Sequence, residues 1–503
     1  LPSDILTEQR LAGRDFAYKN IHYPSSNNAY LAAKYRLIFD EFFILKASIL
    51  FKNKDEVVKR GISFDEVFNV SDFIKMVPFE LTNAQKRVID EINKDMENPK
   101  MMNRLLQGDV GSGKTVMAAF AIFKAYKNGY QSAFLAPTQI LAKQHFENLK
   151  RFFKDSIKIS LITSEIKGTK RKTLLDDLKN GNINLLIGTT ALISEGLEYK
   201  NLGLIIIDEQ HKFGVRQKTN LTKKGKSLDI LTMSATPIPR TLASMLYGNL
   251  NISRLDELPK GRQKIITRVI EQKEKQKAYD FAFEKIKEGR QVYIVAPFIE
   301  ESDFSNEKNI MTVKQIFDEL KIKKINDKDK IGLLHGRMND DEKNKIMQDF
   351  LAKKIMLLVS TSLIEVGIDV KNASLMIIES AGRFSLSSLH QLRGRIGRGE
   401  DKSYCVLISD LKSELAKERL KIMQDTSDGF IISEKDLELR GPGDFIGVIQ
   451  SGFINFKLAD FARDRKIFKK ANDLADRLFS KKDIIKDMVK LKFVIEERIY
   501  GSY

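Results

Sequence analysis

Eight consecutive residues, Gly108-Asp109-Val110-Gly111-Ser112-Gly113-Lys114-Thr115, have the types and spacing to grip a polyphosphate. They fit G-x-x-x-x-G-K-[ST], whose glycines let backbone N–H groups turn inward around phosphate oxygens. Gly108, Gly111 and Gly113 are therefore candidate nucleotide-binding positions. Lys114 supplies a point charge to the β and γ phosphates, and the Thr115 hydroxyl is a hard oxygen ligand suited to Mg2+. A short run, Arg104–Leu106, precedes the loop and a helical stretch, Val116–Tyr126, follows it. That strand–loop–helix context is the one the pattern requires, and the helix N-terminus adds a favourable dipole.

A second constellation, Asp208-Glu209-Gln210-His211, closes the apolar run Leu204–Ile207. Carboxylates at the C-terminal end of a central strand face the crevice where α/β sheets bind ligands. Asp208 is placed to hold Mg2+, directly or through water, and Glu209 to polarise an attacking water. His211 is open between a place in this site and a structural role.

The elements that must position these groups are legible from periodicity. Short apolar runs at Arg104–Leu106, Gln131–Ala136, Ile157–Ile162, Leu185–Ile187, Leu204–Ile207 and Ile230–Met233 alternate with helical stretches. A second series follows at Gln291–Val295, Ile331–Leu334, Met356–Val359, Ser374–Ile378 and Ser403–Ile408. Near-continuous apolar runs read as buried parallel strands, and strand–helix alternation implies doubly wound sheets. The Pro and Gly of Glu257–Arg262 place a linker between the two series. The lysine-rich stretch Lys321–Lys330 reads as a solvated loop. Residues 1–76 are expected to be helical. Across Ala29–Leu50, the residues Leu31, Tyr35, Ile38, Phe39 and Phe42 recur at helical steps, a wide apolar face that needs a cover. Residues 411–503 turn helical again. The expected organisation is thus 1–76, 77–255, 256–410 and 411–503.

Composition narrows the function class. Lys and Arg number 85 against 67 Asp and Glu, a net charge of +18, which points to a polyanionic partner. No uncharged apolar run is long enough to span a bilayer. The chain opens Leu-Pro-Ser-Asp, with neither a secretory signal nor an initiating Met, so residues upstream are expected. The single cysteine, Cys405, forms no intrachain disulfide and lies on an apolar run, which makes it a core residue in a reducing compartment. The five histidines and this cysteine lack zinc spacing, so no structural metal is expected.

In their order along the chain, these motifs resemble those of the superfamily 2 helicases. Phe79-Glu80-Leu81-Thr82-Asn83-Ala84-Gln85 is similar to the adenine-reading segment, in which the Gln85 carboxamide matches adenine N6 and N7. Pro137 and Thr138, with Thr189 in Gly188-Thr189-Thr190, resemble strand-contacting loops of the first lobe. Ser234-Ala235-Thr236 resembles the motif that couples ATP to nucleic acid. Ser360-Thr361 through Gly367-Ile368-Asp369 resembles the coupling loop of the second lobe, and the resemblance implies that Gly367 and Asp369 bind the nucleotide. Gln391-Leu392-Arg393-Gly394-Arg395-Ile396-Gly397-Arg398 resembles the arginine-finger motif. The resemblance implies two RecA-like P-loop lobes with parallel sheets, flanked by helical regions. It also implies catalytic roles for Lys114, Asp208, Glu209, Gln391, Arg395 and Arg398. Phosphoryl transfer spreads charge over equatorial oxygens, which a guanidinium in a dry interface stabilises. Arginines in one lobe and the phosphate loop in the other make catalysis depend on lobe closure.

Within that superfamily the resemblance is to the RecG family of bacterial branched-DNA helicases, and it covers nearly the whole chain. Leu333-Leu334-His335-Gly336-Arg337-Met338 and Ile364–Asp369 match its versions of their motifs. Asp425-Thr426-Ser427-Asp428-Gly429-Phe430 and Leu437-Glu438-Leu439-Arg440-Gly441-Pro442-Gly443 resemble a translocation motif shared with the transcription-repair coupling factor. The resemblance implies coupling roles for Arg337, Thr361, Arg419, Arg440 and Gln450. It implies ATP and Mg2+ as cofactors, forked and junction DNA as partner, a monomer, and a bacterial cytoplasmic, nucleoid-associated setting. Departures are Thr190 for His, Lys260 for a second Pro and Gly382 for Glu. No region resembles the family's OB-fold wedge domain, so the chain is expected to begin just after it. The alternatives are a transcription-repair coupling type of translocase, an RNA helicase, and a non-catalytic DNA-binding scaffold. An intact set of Lys114, Asp208, Glu209, Arg395 and Arg398 disfavours the last.

Overall fold

The computed structural model describes residues 3–56, 61–64, 69–154, 156–163, 166–193, 196–209, 213, 227–235, 250–257, 264–298, 312–322, 330–365, 370–399, 401–410, 413–440, 456–460 and 463–480. The chain forms two units. One joins Leu1–Lys59, Pro239–Leu250 and Leu437–Tyr503; the other joins Arg60–Ile238 and Asn251–Asp436.

The chain opens with helices α1 (Ser3–Glu8), α2 (Arg14–His22) and α3 (Asn27–Glu56). Helix α4 (Val70–Met76) and helix α5 (Asn83–Glu97) then lead into the first lobe. Its strands are β1 (Asn103–Gly108), β2 (Gln131–Leu135), β3 (Ile159–Ile162), β4 (Leu185–Gly188), β5 (Leu202–Asp208), β6 (Asp229–Ser234) and β7 (Asn251–Leu255). Between them lie α6 (Lys114–Lys127), α7 (Gln139–Phe153) and α8 (Gly168–Asn180). The seven strands are all parallel, in the order β3-β4-β2-β5-β6-β1-β7. Phe120, Phe134 and Ile206 pack on one face of the sheet, and Leu135, Ile205 and Ile207 on the other. Register brings the chemistry to one rim, with Asp208 level with Met233 and Ser234 level with Gln107.

The second lobe repeats the plan. Its strands are β8 (Ile266–Ile270), β9 (Gln291–Val295), β10 (Ile331–Leu334), β11 (Leu357–Ser360), β12 (Ala373–Ile378) and β13 (Tyr404–Ile408). They form a parallel sheet in the order β10-β11-β9-β12-β13-β8. Helices α9 (Lys275–Lys287), α10 (Val313–Ile322), α11 (Asp340–Leu351) and α12 (Leu386–Arg393) accompany it, followed by α13 (Glu414–Asp425), α14 (Gly429–Arg440) and α15 (Arg465–Ser480).

Every apolar run read as a strand is one. Strands β7 and β8 escaped that reading, and each lies at the edge of its sheet. A strand exposed along one edge does not need a continuous apolar run, and Asn251-Ile-Ser-Arg-Leu and Ile266-Thr-Arg-Val-Ile are broken by polar residues. Cys405 is buried in β13, and burial pushes its thiol up to about 12.

The other unit is helical. Helix α3 runs 30 residues, about 45 Å at the usual rise. Its apolar face is covered by α15: the Phe42 ring meets Phe468 edge-on at 5.2 Å, and Lys46 pairs with Asp476 at 3.2 Å. The Glu41 carboxylate accepts backbone N–H bonds from Lys457 (2.8 Å), Leu458 (3.2 Å) and Ala459 (2.8 Å). One expectation for α3 fails. Leu31 is 53% exposed, whereas Arg36, one turn on, is buried. The Arg36 guanidinium donates to both oxygens of Asp40 and to the Ala12 carbonyl, and these partners offset the cost of its burial.

Candidate nucleotide site

The phosphate loop joins β1 to α6. Gly111 and Gly113 have φ of +81° and +95°, a left-handed conformation that side-chain-bearing residues rarely adopt. A Cβ on Gly113 would also collide with the Gln85 amide. Gln85 is buried at the start of α5, where it completes a reciprocal cap with Thr82. Its Oε1 accepts from the Thr82 N–H at 3.0 Å, and its Nε2 donates to the Ser112 carbonyl at 2.9 Å. The amide expected to read adenine therefore also braces the phosphate loop. A carboxamide has two hydrogens and two lone pairs, so one of each remains for a base. Phe79 is 48% exposed nearby in sequence, as a stacking surface must be.

Lys114 Nζ donates to the carbonyls of Gly108 (2.8 Å) and Asp109 (3.0 Å). Burial pulls its pKa down, against the opposing pull of Glu209, Asp208 and Asp109. The buried Ser112 hydroxyl oxygen has no hydrogen-bond partner. A curled lysine, left-handed glycines and an unpartnered buried hydroxyl in one loop fit a polyphosphate.

Asp208 ends β5 and is buried. Burial pushes its carboxyl up, but the His145 hydrogen bond and charge, Lys114 and the Glu209 N–H outweigh it and hold the group below the ordinary range. An ionised Asp208 carboxylate and the Thr115 hydroxyl are hard oxygen ligands of the kind that fits Mg2+. Glu209 adopts φ +49°, which turns the chain sharply at the strand end. Its carboxyl is pushed up by burial and by the neighbouring Asp208 charge. Its Oε2 accepts from the Ala235 N–H at 3.4 Å, next to Ser234, so this carboxylate meets the backbone that follows β6.

The second lobe reaches this site. Gly394 approaches Val110 so closely that a Cβ there would lie 3.1 Å from Val110 Cγ2. Arg395 and Gln391 are buried. The charge of Arg395 bears on Glu209 and that of Arg398 on Lys114. Arg398 Nε also donates to the Gly394 carbonyl at 3.3 Å.

The coupling candidates are more dispersed. Thr138 caps α7, accepting from the Leu141 N–H at 3.3 Å, and Pro137 precedes it. Thr189 accepts the Leu192 N–H through its carbonyl at 2.9 Å. Thr361 is buried at the end of β11, Arg337 is exposed, and the Arg419 Nε is buried on α13 without a hydrogen-bond partner. Arg440 is the last residue of α14. His211, Thr236, Gly367, Asp369, Gln450 and the Arg440 side chain lie outside the described residues.

Three functional candidates were missed. His145 on α7 contacts Asp208 Oδ2 through Nε2 at 2.9 Å. His390 on α12 contacts Asp109 Oδ1 through Nε2 at 2.8 Å. Arg393, also buried, bonds the Met423 and Thr426 carbonyls at 2.7 and 2.9 Å. A signal existed: His145 shares a helical face with Leu141, Ala142 and Leu149, and His390 lies beside Leu386 and Leu389. A histidine on the apolar side of an amphipathic helix needs a buried partner.

The chain matches three family descriptions: DEAD/DEAH box helicase over residues 82–245, helicase conserved C-terminal domain over 274–400, and ATP-dependent DNA helicase RecG, domain 3, C-terminal, over 426–491. The ATP-dependent DNA helicase RecG of Bacillus subtilis (strain 168) is 45% identical, across 95% of this chain and 70% of that protein. The RecG helicase of Synechocystis sp. is 43% identical over 99% of this chain, which spans 60% of that protein's length. A solved structure of RecG bound to a three-way DNA junction superimposes with a TM-score of 0.77 at 40% identity, covering 93% of this chain and 61% of that one.

Proposed function

The chain belongs to the RecG family of ATP-dependent DNA helicases, and from that premise we propose that it is the motor of a double-stranded DNA translocase acting on forks and junctions. The observation that carries the proposal is the contact of the second lobe's Gly394 with the first lobe's Val110 and of His390 with Asp109. Arginines from one lobe thereby stand over a phosphate loop in the other, so ATP turnover and lobe movement are linked. Among the described residues no helix is long and apolar enough to cross a membrane.

In this reading Lys114 exchanges its two carbonyl partners for β and γ phosphate oxygens. Thr115 and Asp208 would hold Mg2+, which neutralises phosphate charge when bound. Glu209 orients and deprotonates the attacking water, while Arg395 and Arg398 stabilise the charge that develops at the γ phosphate. Gln391 acts with these arginines, and Phe79 and Gln85 receive the base. Glu209 reports the state of the γ phosphate to Ser234-Ala235-Thr236 through the Ala235 N–H. The loops at Pro137–Thr138, Thr189, Arg337 and Thr361 contact the DNA backbone. Basic residues on phosphates make binding weaken steeply with salt. The Gly367–Asp369 loop, Arg419, Arg440 and Gln450 convert closure into movement along the duplex. The setting is the bacterial cytoplasm.

The test is ATP turnover by this chain with no DNA, single-stranded DNA, linear duplex and forked DNA, at two salt concentrations. Strong stimulation by duplex establishes the motor. A fork that outperforms linear duplex places branch recognition partly in these residues; equal stimulation places it elsewhere. No stimulation by any DNA, in folded protein, overturns the proposal.

A further inference from the structure

We propose that the rim of the second sheet where its strands begin is a second DNA-binding surface, which holds the phosphate backbone of a duplex segment separate from the one the motor engages. The inference takes from the translocase reading above only that the polyanion is DNA.

Topology gathers the charge. In a parallel sheet every strand begins at the same rim, so the residues that lead into β8–β13 meet along one edge. In the order β10-β11-β9-β12-β13-β8 they bring Lys330, Lys353, Arg290, Lys371, Lys402 and Lys264, a cation to every strand. All five lysines are exposed. Neighbouring strands lie about 4.8 Å apart, so the row is about 24 Å long, the rise of roughly seven base pairs. The strands have four to six residues, which sets this rim about 13–20 Å from the strand ends where Thr361 and Glu379 stand.

Hydrogen bonds fix the base of the row. The Lys330 carbonyl accepts from the Met356 N–H at 2.8 Å, and the Gln291 amide donates to the Ile355 carbonyl at 3.0 Å. Asn372 Nδ2 donates to the Gly289 carbonyl at 3.0 Å, and Arg290 pairs with Asp401 at 2.6 Å. The Ile266 N–H donates to the Ser403 carbonyl at 2.9 Å. Each loop is thus tied to another, and the backbone that bears the lysines is pre-organised.

The acidic residues of the rim are matched from within. Asp401 pairs with Arg290, Glu288 with Lys285 at 2.7 Å, and Asp349 with Lys354 at 3.1 Å. Lys264, Lys353, Lys371 and Lys402 have no ion pair among the described residues. Lys353 has φ +59°, the left-handed conformation that Gly181 and Gly289 adopt after α8 and α9. A lysine stands there despite the backbone strain that glycine avoids.

The first lobe is the control for composition. Its loops into β4 and β2 read Gly181-Asn182-Ile183-Asn184 and Asn128-Gly129-Tyr130 and carry no cation, and these strands are neighbours, so no row forms across that rim. A general excess of lysine would charge both rims alike.

The residue types select the partner. Among the described residues these second-lobe loops hold no aromatic side chain on which an unpaired base could stack. Lysine is depleted in protein–protein interfaces, where aromatic and arginine anchors dominate. A row of point charges suits duplex phosphates and reads no sequence. DNA is stiff over about 150 base pairs, so a duplex in the motor does not bend back to this rim, and the row takes another arm of a junction or another segment.

The probes are two duplexes of about 20 base pairs, one with a donor dye and one with an acceptor, mixed with the chain at low salt. The parent chain brings them together, which appears as energy transfer. Lys353→Gln, Lys371→Gln and Lys402→Gln combined lower that transfer at least about tenfold, and the salt slope of second-duplex binding falls by about three, at about 0.9 for each lost phosphate contact. Affinity for the first duplex and duplex-stimulated turnover stay within about twofold, and the melting temperature is unchanged. Arginine at the same three positions keeps the transfer, because it keeps the charge. Lys100→Gln, Lys158→Gln and Lys200→Gln combined remove the same charge from the first lobe's rim and leave the transfer within about twofold. No transfer with the parent chain, undiminished transfer with the folded second-lobe variant, or equal loss in both variants overturns the proposal. If the second-lobe lysines hold a second duplex but no DNA stimulates turnover, the surface stands and the translocase reading falls. If duplex stimulates turnover and no second duplex is held, the reverse follows.

Discussion

Two buried carboxylates stand at corresponding places in the two sheets and differ in their partners and in which way their protonation is pushed. Asp208 ends β5, and Glu379 directly follows β12; each of these strands is fourth in its sheet. Asp208 faces Lys114 and His145 and is held below the ordinary carboxylate range. Glu379 is 1% exposed, and burial pushes its carboxyl up. Its Oε1 accepts from the Tyr279 hydroxyl at 2.6 Å, and the Lys275 ammonium lies over the Tyr279 ring at 4.8 Å. The second lobe thus fills with its own side chains the position that in the first lobe faces the phosphate-loop lysine. A carboxylate at the end of a central strand is not a site by position alone. It becomes one where an adjacent glycine loop and lysine leave a charged group with work to do.

The largest effect that would sharpen this contrast is expected from Lys114→Ala. It should abolish ATP turnover, a loss of at least about 10³, while DNA affinity in a binding titration stays within about threefold. Unchanged turnover would remove the phosphate loop from the mechanism. Next, Arg398→Ala should lower kcat by about 10³ and ATP affinity by far less, as measured by steady-state kinetics beside nucleotide titration. A pure loss of affinity would contradict a finger role. The two strand ends are then compared directly. Glu209→Gln should cost turnover about 10² or more, whereas Glu379→Gln, whose amide still accepts from Tyr279, should change it less than about twofold. Similar losses in both would erase the distinction between the lobes.

The smallest effect concerns the far end of the first sheet. Asp229 begins β6, accepts the Met102 N–H through Oδ1 at 2.8 Å, and has a buried Oδ2 without a hydrogen-bond partner. Burial raises its carboxyl from 3.8 to about 8. In the window between those values the folded chain keeps a proton that the unfolded chain has released. Stability from this group is therefore whole below the unfolded value and lost as pH rises through the folded one, at most roughly 1.4 kcal/mol per pH unit. Asp229→Asn should flatten that dependence. Denaturant midpoints at about pH 5 and about pH 9 should lie closer together in the variant than in the parent. An unchanged gap would mean that Asp229 is ionised in the fold.

What could be read without the fold was what local chemistry dictates. The phosphate loop declares itself because residues with side chains rarely adopt the left-handed turns at Gly111 and Gly113, and Lys114 and Thr115 supply the charge and the hydroxyl that follow. The central strands declare themselves because a strand buried on both faces must be apolar at every position, as Leu204–Ile207 and Leu375–Ile378 are. Edge strands β7 and β8 carry no such obligation and stayed hidden. The face of α3 was misjudged at Leu31 because periodicity cannot tell which flank of a helix its cover will meet; that was decided by α15, more than 400 residues away. The same holds for the pairs His145–Asp208 and His390–Asp109. A histidine's role depends on which acceptor the fold delivers to each ring nitrogen, and those acceptors lie 63 and 281 residues away in the chain. Composition and spacing can specify a loop, a strand or a helix, because each is held by neighbours in sequence. The partnership of the two lobes over one phosphate loop is made by long-range packing, and only the tertiary structure decides it.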